Sequence, residues 1–167
     1  GNGYAITGII GRQEIMEEAQ STFISSTFWT ERIGPSAGLK TLEIMEREAS
    51  WEVITKKGKY IGEGWQSLAN NHNLPIECNG LPSLINFSLP VGNWLKYKTL
   101  ITQEMLKRGF LASNSVYLCT EHNQNVIDQY FENLNHVFAM IAKCEDGNNI
   151  DELLGGPICH KEFKRLN

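Results

Sequence analysis

The sequence predicts a mixed chain of α/β to α+β class, for three reasons. The order strand, strand, helix, strand, helix between residues 75 and 143 is typical of a compact α+β unit. Residues 1–34 begin with a short apolar run followed by a short helical pattern, and they resemble the last pieces of a larger α/β sheet. Two further helical patterns lie between these parts. We found no internal repeats.

Composition restricts the classes of protein that fit. The 167 residues are 41% hydrophobic and 20% charged, which is enough to bury a core. A net charge of -4 argues against nucleic acid or an anionic membrane as a partner. No apolar run is long enough to span a bilayer. We therefore expect a cytoplasmic chain.

The four cysteines are too far apart for a C-x-x-C motif, and we expect them to be reduced thiols. They are Cys78, Cys119, Cys144 and Cys159. Cys159 stands next to His160, but no second ligand pair lies nearby, so we predict no metal site.

The first 34 residues form an incomplete pattern. Tyr4 to Ile10 predicts a buried strand, in which Gly8 permits a close backbone approach. Arg12 to Ala19 predicts a short amphipathic helix. A lone strand and a short helix cannot bury both faces of a sheet. We therefore expect residues 1–34 to be rearranged, exchanged with a neighbouring molecule or paired between chains.

An aromatic, hydroxyl-rich segment, "STFISSTFWTERIGPSAG", comes next and predicts an ordered loop of the kind that often carries function. Pro35 is expected as the first residue of the following helix, in which residues 37–47 keep an apolar stripe. A second helix is expected from Ser50 to Leu68. Three glycines weaken this second prediction, because glycine lowers helix propensity; they are Gly58, Gly62 and Gly64.

The remaining elements follow from clear patterns. Ile76 to Cys78 and Leu84 to Ser88 predict two strands around an Asn79-Gly80 turn. "NWLKYKTLITQEMLKRG" predicts a helix that ends at Gly109. Its inward residues are expected to be Leu95, Leu100, Met105 and Leu106. "FLASNSVYLC" supplies one or two strands, and "EHNQNVIDQYFENLNHVFAMIAK" is the strongest helical pattern, with an apolar face that begins at Val126.

The opening and the aromatic loop together resemble the class III aminotransferases that depend on pyridoxal 5'-phosphate (PLP), and among them glutamate-1-semialdehyde aminomutase and related sugar or amino-acid aminotransferases. The family has a Gly-rich turn and strand like "GNGYAITGIIGR", a helix like "RQEIMEEA", and a Thr-containing loop that leads through G-P into a helix. Here that loop and helix read "STFWTERIGPSAGLKTLEIME". The match is specific over residues 1–47 and is a match in the order of elements from 48 to about 142.

The resemblance implies a fold and a domain organisation. Residues 1–47 correspond to the end of the large domain of a fold type I PLP-dependent transferase and its connecting helix. Residues 48–143 correspond to the small C-terminal domain, and 144–167 form an irregular tail. The parent protein is implied to be a homodimer or higher homo-oligomer. The resemblance also implies that it moves an amino group between a small-molecule amino donor and a carbonyl carbon.

The resemblance also implies that the Schiff-base lysine lies upstream of Gly1. Lys40 follows the loop on its helix, and Lys56, Lys57 and Lys59 are expected on a solvated helix face. A PLP enzyme needs an amine to hold the cofactor and relay protons, and a carboxylate to keep the ring nitrogen protonated. We therefore expect no catalytic residue here, weak or absent PLP binding and no activity of this chain alone.

Thr30 is the first candidate for a cofactor contact. It stands five positions before Pro35, the spacing of the family's Thr that reaches the partner subunit's PLP phosphate. Trp29 is implied to present its backbone N–H beside it. Hydroxyl and backbone N–H groups suit a phosphate. Two alternatives remain open: Thr30 only caps the loop, or Thr27 supplies the hydroxyl.

Arg32 is the candidate for binding a substrate carboxylate or phosphate through a bidentate fork. The alternative is a salt bridge with Glu31 or another acid of the loop, and the family has no fixed Arg at this position. Phe28 and Trp29 could line an active site, but we favour a role as dimer-interface anchors.

Two residues of the second half remain without an assigned role. Glu121 occupies the region of the aminomutase's gating acid, but the segment is shorter here. His122 matches a family His loosely, and a surface position at the start of a helix is the simpler interpretation. The alternative function for the whole chain is a non-catalytic binding or assembly module. The sequence argues against a small hydrolase, because no Ser or Cys stands in a G-x-S-x-G-like context.

Overall fold

The computed structural model describes residues 1–24, 27, 28 and 30–161. The chain divides into two compact units, Gly1–Ser50 and Trp51–Asn167. The first unit contains α1 (Gln13–Met16) and α2 (Ile33–Glu48). The second unit is built from three longer helices and a small sheet, and its elements are α3 (Ser50–Asn71), β1 (Glu77–Leu81), β2 (Leu84–Ser88), α4 (Trp94–Lys107), β3 (Ser115–Tyr117) and α5 (Gln124–Glu145).

The strand expected at Tyr4 to Ile10 is wrong. These residues are not in a strand and are exposed, and the side chain of Ile10 is 96% exposed. A strand needs a partner for its N–H and C=O groups, and within the described part of this unit no strand lies beside it. The helix expected at Arg12 to Ala19 is confirmed in a shorter form, as α1 followed by a 3₁₀ turn, Glu17–Ser21.

Helix α2 begins two residues earlier than expected. Pro35 is its third residue and not its first, because the carboxylate of Glu31 accepts hydrogen bonds from the N–H groups of Ile33 and Gly34. The predicted apolar stripe forms on one face, yet Leu39 and Leu42 are 71% and 63% exposed. Amphipathic spacing therefore predicted the helix correctly, although these two side chains of the apolar face remain mostly exposed within the described part of this unit.

Helix α3 is confirmed, and the close approach of another segment explains its glycines. A Cβ atom on Gly58 would lie 1.7 Å from the carbonyl oxygen of Pro82, and one on Gly62 would lie 2.7 Å from Cδ1 of Ile85. The β1–β2 hairpin therefore rests directly on this face of the helix. Each glycine costs about 1 kcal/mol of helix propensity, and the contact that it permits offsets this cost.

The sheet is antiparallel with the order β1-β2-β3. Both predicted hairpin strands form, but the predicted turn is wrong. Leu81 pairs with Leu84, so Pro82 and Ser83 make the turn. Proline suits a turn because its φ is fixed and it has no N–H to pair. Gly80 lies inside β1 opposite Ile85, and its φ is +95°, a backbone conformation that glycine adopts at little cost.

The core of the second unit lies between the sheet and helices α3, α4 and α5. Its centre is aromatic: the rings of Trp65 and Phe87 are 4.7 Å apart, and the indole N–H of Trp65 donates to the hydroxyl of Tyr130 at 2.8 Å. Burial raises the pKa of Tyr130. The largest fully buried side chains are Trp65, Tyr97, Phe87, Phe138, Ile61 and Leu89. In the described part of the chain, no buried side-chain nitrogen or oxygen lacks a hydrogen-bond partner.

The inward faces of α4 and α5 are mostly as expected. Leu100 and Met105 are fully buried, and Gly109 ends α4 with a φ of +85°. Leu106 and Val126 are 56% and 38% exposed, so both were wrongly expected to be inward. Successive helical residues point about 100° apart, and Leu106 is turned away from the core because Met105 faces it.

The segment after α5 contacts α4. Ile150 begins a short 3₁₀ turn and is buried. The side-chain amide of Gln103 donates to the carbonyl of Leu153 at 2.9 Å and accepts the N–H of Gly155 at 2.7 Å. Residues 150–155 are therefore attached to the core. None of the helices that the structure describes has the length and apolar character to cross a membrane.

Glu104 is a buried carboxylate at the C-terminal end of α4. It accepts hydrogen bonds from Lys107 at 2.5 Å, Gln103 at 2.9 Å and Arg108 at 3.0 Å. Burial acts to raise its pKa, but these three hydrogen bonds outweigh burial and lower the pKa of Glu104 to about 2. The group therefore stays ionised in the folded chain at pH values where it would be protonated in the unfolded one.

We predict that Gly58→Ala destabilises the chain although alanine is the better helix former. The added methyl group collides with the backbone of Pro82, and overpacking of this kind costs about 1–3 kcal/mol. Urea denaturation followed by circular dichroism measures the free energy of unfolding. Gly92→Ala is the control, because nothing lies within 4 Å of a Cβ there. Equal stability of the two variants would contradict the account of the helix–hairpin contact.

We predict that Glu104→Gln lowers the free energy of unfolding at pH 7 by about 1.5–3 kcal/mol, the range for hydrogen bonds to a charged group. The folded pKa lies below the unfolded value of about 4.3. The contribution is therefore complete above that pH, and it is lost as the pH falls towards 2. The difference between the variant and the natural chain should shrink over the same interval. Glu132→Gln, at an exposed carboxylate of α5, is the control. A difference independent of pH would contradict the prediction.

Candidate functional site

The aromatic loop ends in a turn directly before α2. The N–H of Glu31 donates to the carbonyl of Phe28 at 3.1 Å, which closes the turn. Thr30 is exposed within it, and the side chain of Phe28 is 55% exposed. Trp29, the second predicted cofactor contact, lies outside the described residues. The turn therefore presents the Thr30 hydroxyl to the outside of this unit.

Glu31 has a structural role that the sequence analysis missed. Its carboxylate accepts the N–H groups of Ile33 and Gly34, the latter at 3.2 Å. A negative charge at this end of a helix is favourable, because the first N–H groups have no partner within the helix. An acid placed just before an apolar-periodic segment is the signal that could have revealed it. The first N–H groups of α2 thus have a hydrogen-bond acceptor within the chain.

Arg32 is exposed and immediately precedes α2. The alternative interpretation was a salt bridge with Glu31. Among the ion pairs between described residues, none joins these two side chains. The Glu31 carboxylate bonds to backbone N–H groups instead. The guanidinium of Arg32 is therefore accessible to an anion from outside this unit.

The opening segment crosses the first turn of α2 and forms a groove with the loop. A Cβ on Gly34 would lie 2.4 Å from the carbonyl oxygen of Ala5, so the two backbones are in contact. The groove has a volume of about 380 Å³ and is lined by Ala5, Ile6, Thr7, Thr27, Phe28, Glu31 and Pro35. Thr27, the alternative hydroxyl, thus lies in the groove, whereas Thr30 and Arg32 are not among its lining residues.

The hydroxyl groups of Thr27 and Thr30 and the guanidinium of Arg32 suit the phosphate end of a PLP molecule and not its ring. Hydroxyl groups and a guanidinium can bind the cofactor's phosphate or a substrate carboxylate. The carboxylate of Glu31 already caps α2. Lys40, on α2, pairs with Glu43 at 2.6 Å on an exposed surface, and this hydrogen bond lowers the pKa of Glu43. The loop therefore offers anion-binding groups, and its neighbouring lysine is bound to a carboxylate.

The lysines of α3 differ from one another. Lys56 and Lys59 are exposed, as predicted. The prediction is wrong for Lys57, which is half-buried and donates from Nζ to the carbonyl of Thr120 at 2.6 Å. In the part of the chain that the structure describes, no three His, Cys, Asp or Glu side chains are grouped as a metal ion would require. The thiol of Cys159 donates to the carbonyl of Leu95 instead.

Comparison with known proteins identifies aminotransferase relatives. No protein-family model matches the chain. It is 27% identical over 148 residues to a 3-aminobutyryl-CoA aminotransferase of Cloacimonas acidaminovorans, with 85% of this chain and 36% of the relative covered. It is 28% identical over 134 residues to a 2'-deamino-2'-hydroxyneamine transaminase of Streptomyces kanamyceticus, covering 77% and 34%. A glutamate-1-semialdehyde 2,1-aminomutase of Sulfurihydrogenibium azorense is 23% identical over 158 residues, covering 84% and 37%.

A solved structure has the same fold. The FumI protein of Sphingopyxis sp. MTA144, in its PLP internal aldimine form, superposes with a TM-score of 0.72. It has 15% sequence identity, and the match covers 87% of this chain and 36% of that one. The resemblance inferred from the sequence is confirmed, and so is the predicted fold class. PLP is the cofactor of the parent family. The chain spans about a third of the length of the curated relatives it matches.

We predict that Glu31→Ala weakens the first turns of α2, because two N–H groups lose their acceptor. Loss of a helix cap costs about 1 kcal/mol. The Cα secondary chemical shifts of residues 33–48 should move towards coil values, most at the N-terminal end. Glu46→Ala is the control, since it removes a carboxylate from the last turn, where negative charge is unfavourable. Unchanged shifts in Glu31→Ala would contradict the capping role.

Proposed function

We propose that this chain, whose relatives are PLP-dependent aminotransferases and aminomutases, is the C-terminal part of such an enzyme. In this proposal residues 1–47 are the end of the large domain with its connecting helix. Residues 48–143 are the small domain, and 144–167 are a tail. The observation that carries the proposal is the fold shared with a PLP-bound protein over 87% of the chain. The parent moves an amino group between a small-molecule donor and a carbonyl carbon.

The proposed contribution of this chain to the reaction is binding and orientation. PLP, when bound, supplies the electron sink for chemistry at the carbon that carries the amine. The hydroxyl of Thr30, exposed in the turn before α2, donates a hydrogen bond to the cofactor phosphate. The backbone N–H of Trp29 is its proposed neighbour. Arg32 holds a substrate carboxylate through its guanidinium. The groove position of Thr27 supports it as the competing hydroxyl.

The exposed apolar side chains of the first unit support an oligomeric parent. Monomers rarely expose large contiguous apolar patches, whereas aromatic side chains are enriched at interfaces. We propose that a homodimer or higher homo-oligomer covers this surface and that Phe28 and Trp29 anchor it. The side chains concerned include Ile9 at 63%, Ile10 at 96%, Phe23 at 94%, Phe28 at 55% and Leu39 at 71% exposure.

The proposal also states that this chain alone does not catalyse transamination. Covalent attachment of the cofactor needs an accessible amine within reach of its aldehyde carbon. The lysine nearest in sequence to the loop, Lys40, is paired with Glu43. The half-buried Lys57 is bonded to a backbone carbonyl. In this proposal the catalytic amine and the carboxylate for the ring nitrogen belong to another part of the parent protein.

A second candidate function is a non-catalytic binding or assembly module. The second unit supports it, because its core contains fully buried aromatic side chains around Trp65 and Phe87 and a hydrogen-bonded Trp65–Tyr130 pair. A core of this kind is suited to folding as a unit of its own. This alternative requires no response to PLP and a stable oligomer of the chain by itself.

A PLP titration followed by borohydride reduction and intact-mass analysis tests the proposal. We expect no saturable visible band and no single trapped lysine, only scattered adducts spread over several lysines. Lys40→Arg and Lys57→Arg are matched controls, and neither should change the pattern. Stoichiometric trapping of any single lysine would contradict the proposal, because the chain would then contain its own catalytic amine, and loss of the adduct in one of these variants would identify that lysine.

A further inference from the structure

Cys119 and His122 form a thiol–imidazole pair in the segment between β3 and α5. The sulfur of Cys119 lies 3.2 Å from Nδ1 of His122. The backbone N–H of Cys119 donates to the same nitrogen at 3.0 Å. A nitrogen that accepts a hydrogen bond carries its lone pair, so the neutral ring is protonated on Nε2. Nδ1 has one lone pair, so it can take the thiol proton as the sulfur reacts only if the hydrogen bond from the Cys119 N–H is released in the same step.

Among the residues that the structure describes, the other three cysteines lack this combination of access and base. Cys144 is buried, and burial raises the pKa of its thiol. Cys78 is half-buried, and burial likewise raises its pKa. Cys159 is half-buried, with its thiol directed to a backbone carbonyl. Cys119 is exposed and has the imidazole beside it.

Positive charge lies next to the pair. Nζ of Lys57 is 2.6 Å from the carbonyl oxygen of Thr120, the residue after Cys119. Lys56, Lys57 and His122 line the same surface cavity of about 360 Å³. Glu121 is the opposing charge in this segment, and it is exposed. The two ammonium groups that line this cavity favour an anionic reagent over a neutral one.

We propose that Cys119 is a site of S-thiolation by small anionic disulfides, of which glutathione disulfide is the type. The Cys119 sulfur attacks one sulfur of the disulfide while His122 Nδ1 takes the thiol proton. A new S–S bond forms, and the old one breaks. The leaving thiolate departs with the bonding electron pair and receives the proton from His122. Cys119 is oxidised and one half of the reagent is reduced, so electrons and protons balance. This proposal does not depend on PLP chemistry.

The experiment treats the 167-residue chain with glutathione disulfide and follows intact mass and peptide maps. We expect one adduct, at Cys119, and its loss in Cys119→Ser. The key variant is His122→Asn, whose side-chain oxygen can still accept the Cys119 N–H but cannot take a proton. It should slow the reaction about a hundredfold or more, the lower end of the range for loss of a general base. His136→Asn, at an exposed histidine of α5, is the matched control.

A second comparison tests the charge argument. The Lys56→Gln/Lys57→Gln variant should lose rate with glutathione disulfide but not with neutral 2-hydroxyethyl disulfide. The urea-unfolded chain gives the baseline for a thiol without a neighbouring base, and folded Cys119 should exceed it. Adducts spread evenly over the cysteines, a folded rate no higher than that baseline, or an unchanged rate in His122→Asn would overturn the proposal.

Discussion

The contact between α3 and the β1–β2 hairpin at Gly58 is the constraint on which the second unit depends. The carbonyl of Pro82 occupies the space of a side chain at this position. The hairpin can approach the helix axis closely only because Gly58 has no Cβ, with Gly62 one turn further on. From that position Phe87 of β2 reaches the ring of Trp65, and Trp65 reaches the hydroxyl of Tyr130 on α5. The closeness of the hairpin to α3 at Gly58 thus determines the position of the aromatic core.

The first unit is organised differently. Its described residues contact each other through backbone, as between Ala5 and Gly34, and through the Glu31 cap of α2. Its larger apolar side chains remain exposed. Hydrophobic burial is the main stabilising term in folding, so such a surface is suited to contact with other protein. This agrees with the proposal that the loop before α2 acts at a site that further parts of the parent protein complete.

The sequence predicted what depends on periodicity and missed what depends on contacts between segments. The helices α3, α4 and α5 have strong 3.6-residue patterns, and all three are present. The Asn79-Gly80 pair is typical of a turn, but Pro82 makes the turn because the hairpin must place its carbonyl over Gly58. Tyr4 to Ile10 has strand composition and no strand beside it in the described residues. The composition of a segment does not determine whether a neighbouring strand is available to pair with it.

The same distinction applies to the candidate site. Spacing and family resemblance pointed to Thr30, and the structure shows it exposed in a turn. The structure alone revealed that Thr27 lines the groove and that Glu31 caps α2. It also revealed the Cys119–His122 pair, since neither residue type nor spacing fixes the distance between a sulfur and a ring nitrogen. Such geometry arises from the fold of the segment between β3 and α5.

Hydrogen–deuterium exchange across the 167-residue chain tests most directly whether residues 51–154 carry their own core while residues 1–34 do not. We expect slow exchange in α3, α4 and α5, with similar protection in the three helices because they share one core. We expect fast exchange throughout residues 1–34. Protection of residues 1–34 equal to that of the three helices, in a chain that is monomeric, would contradict the account.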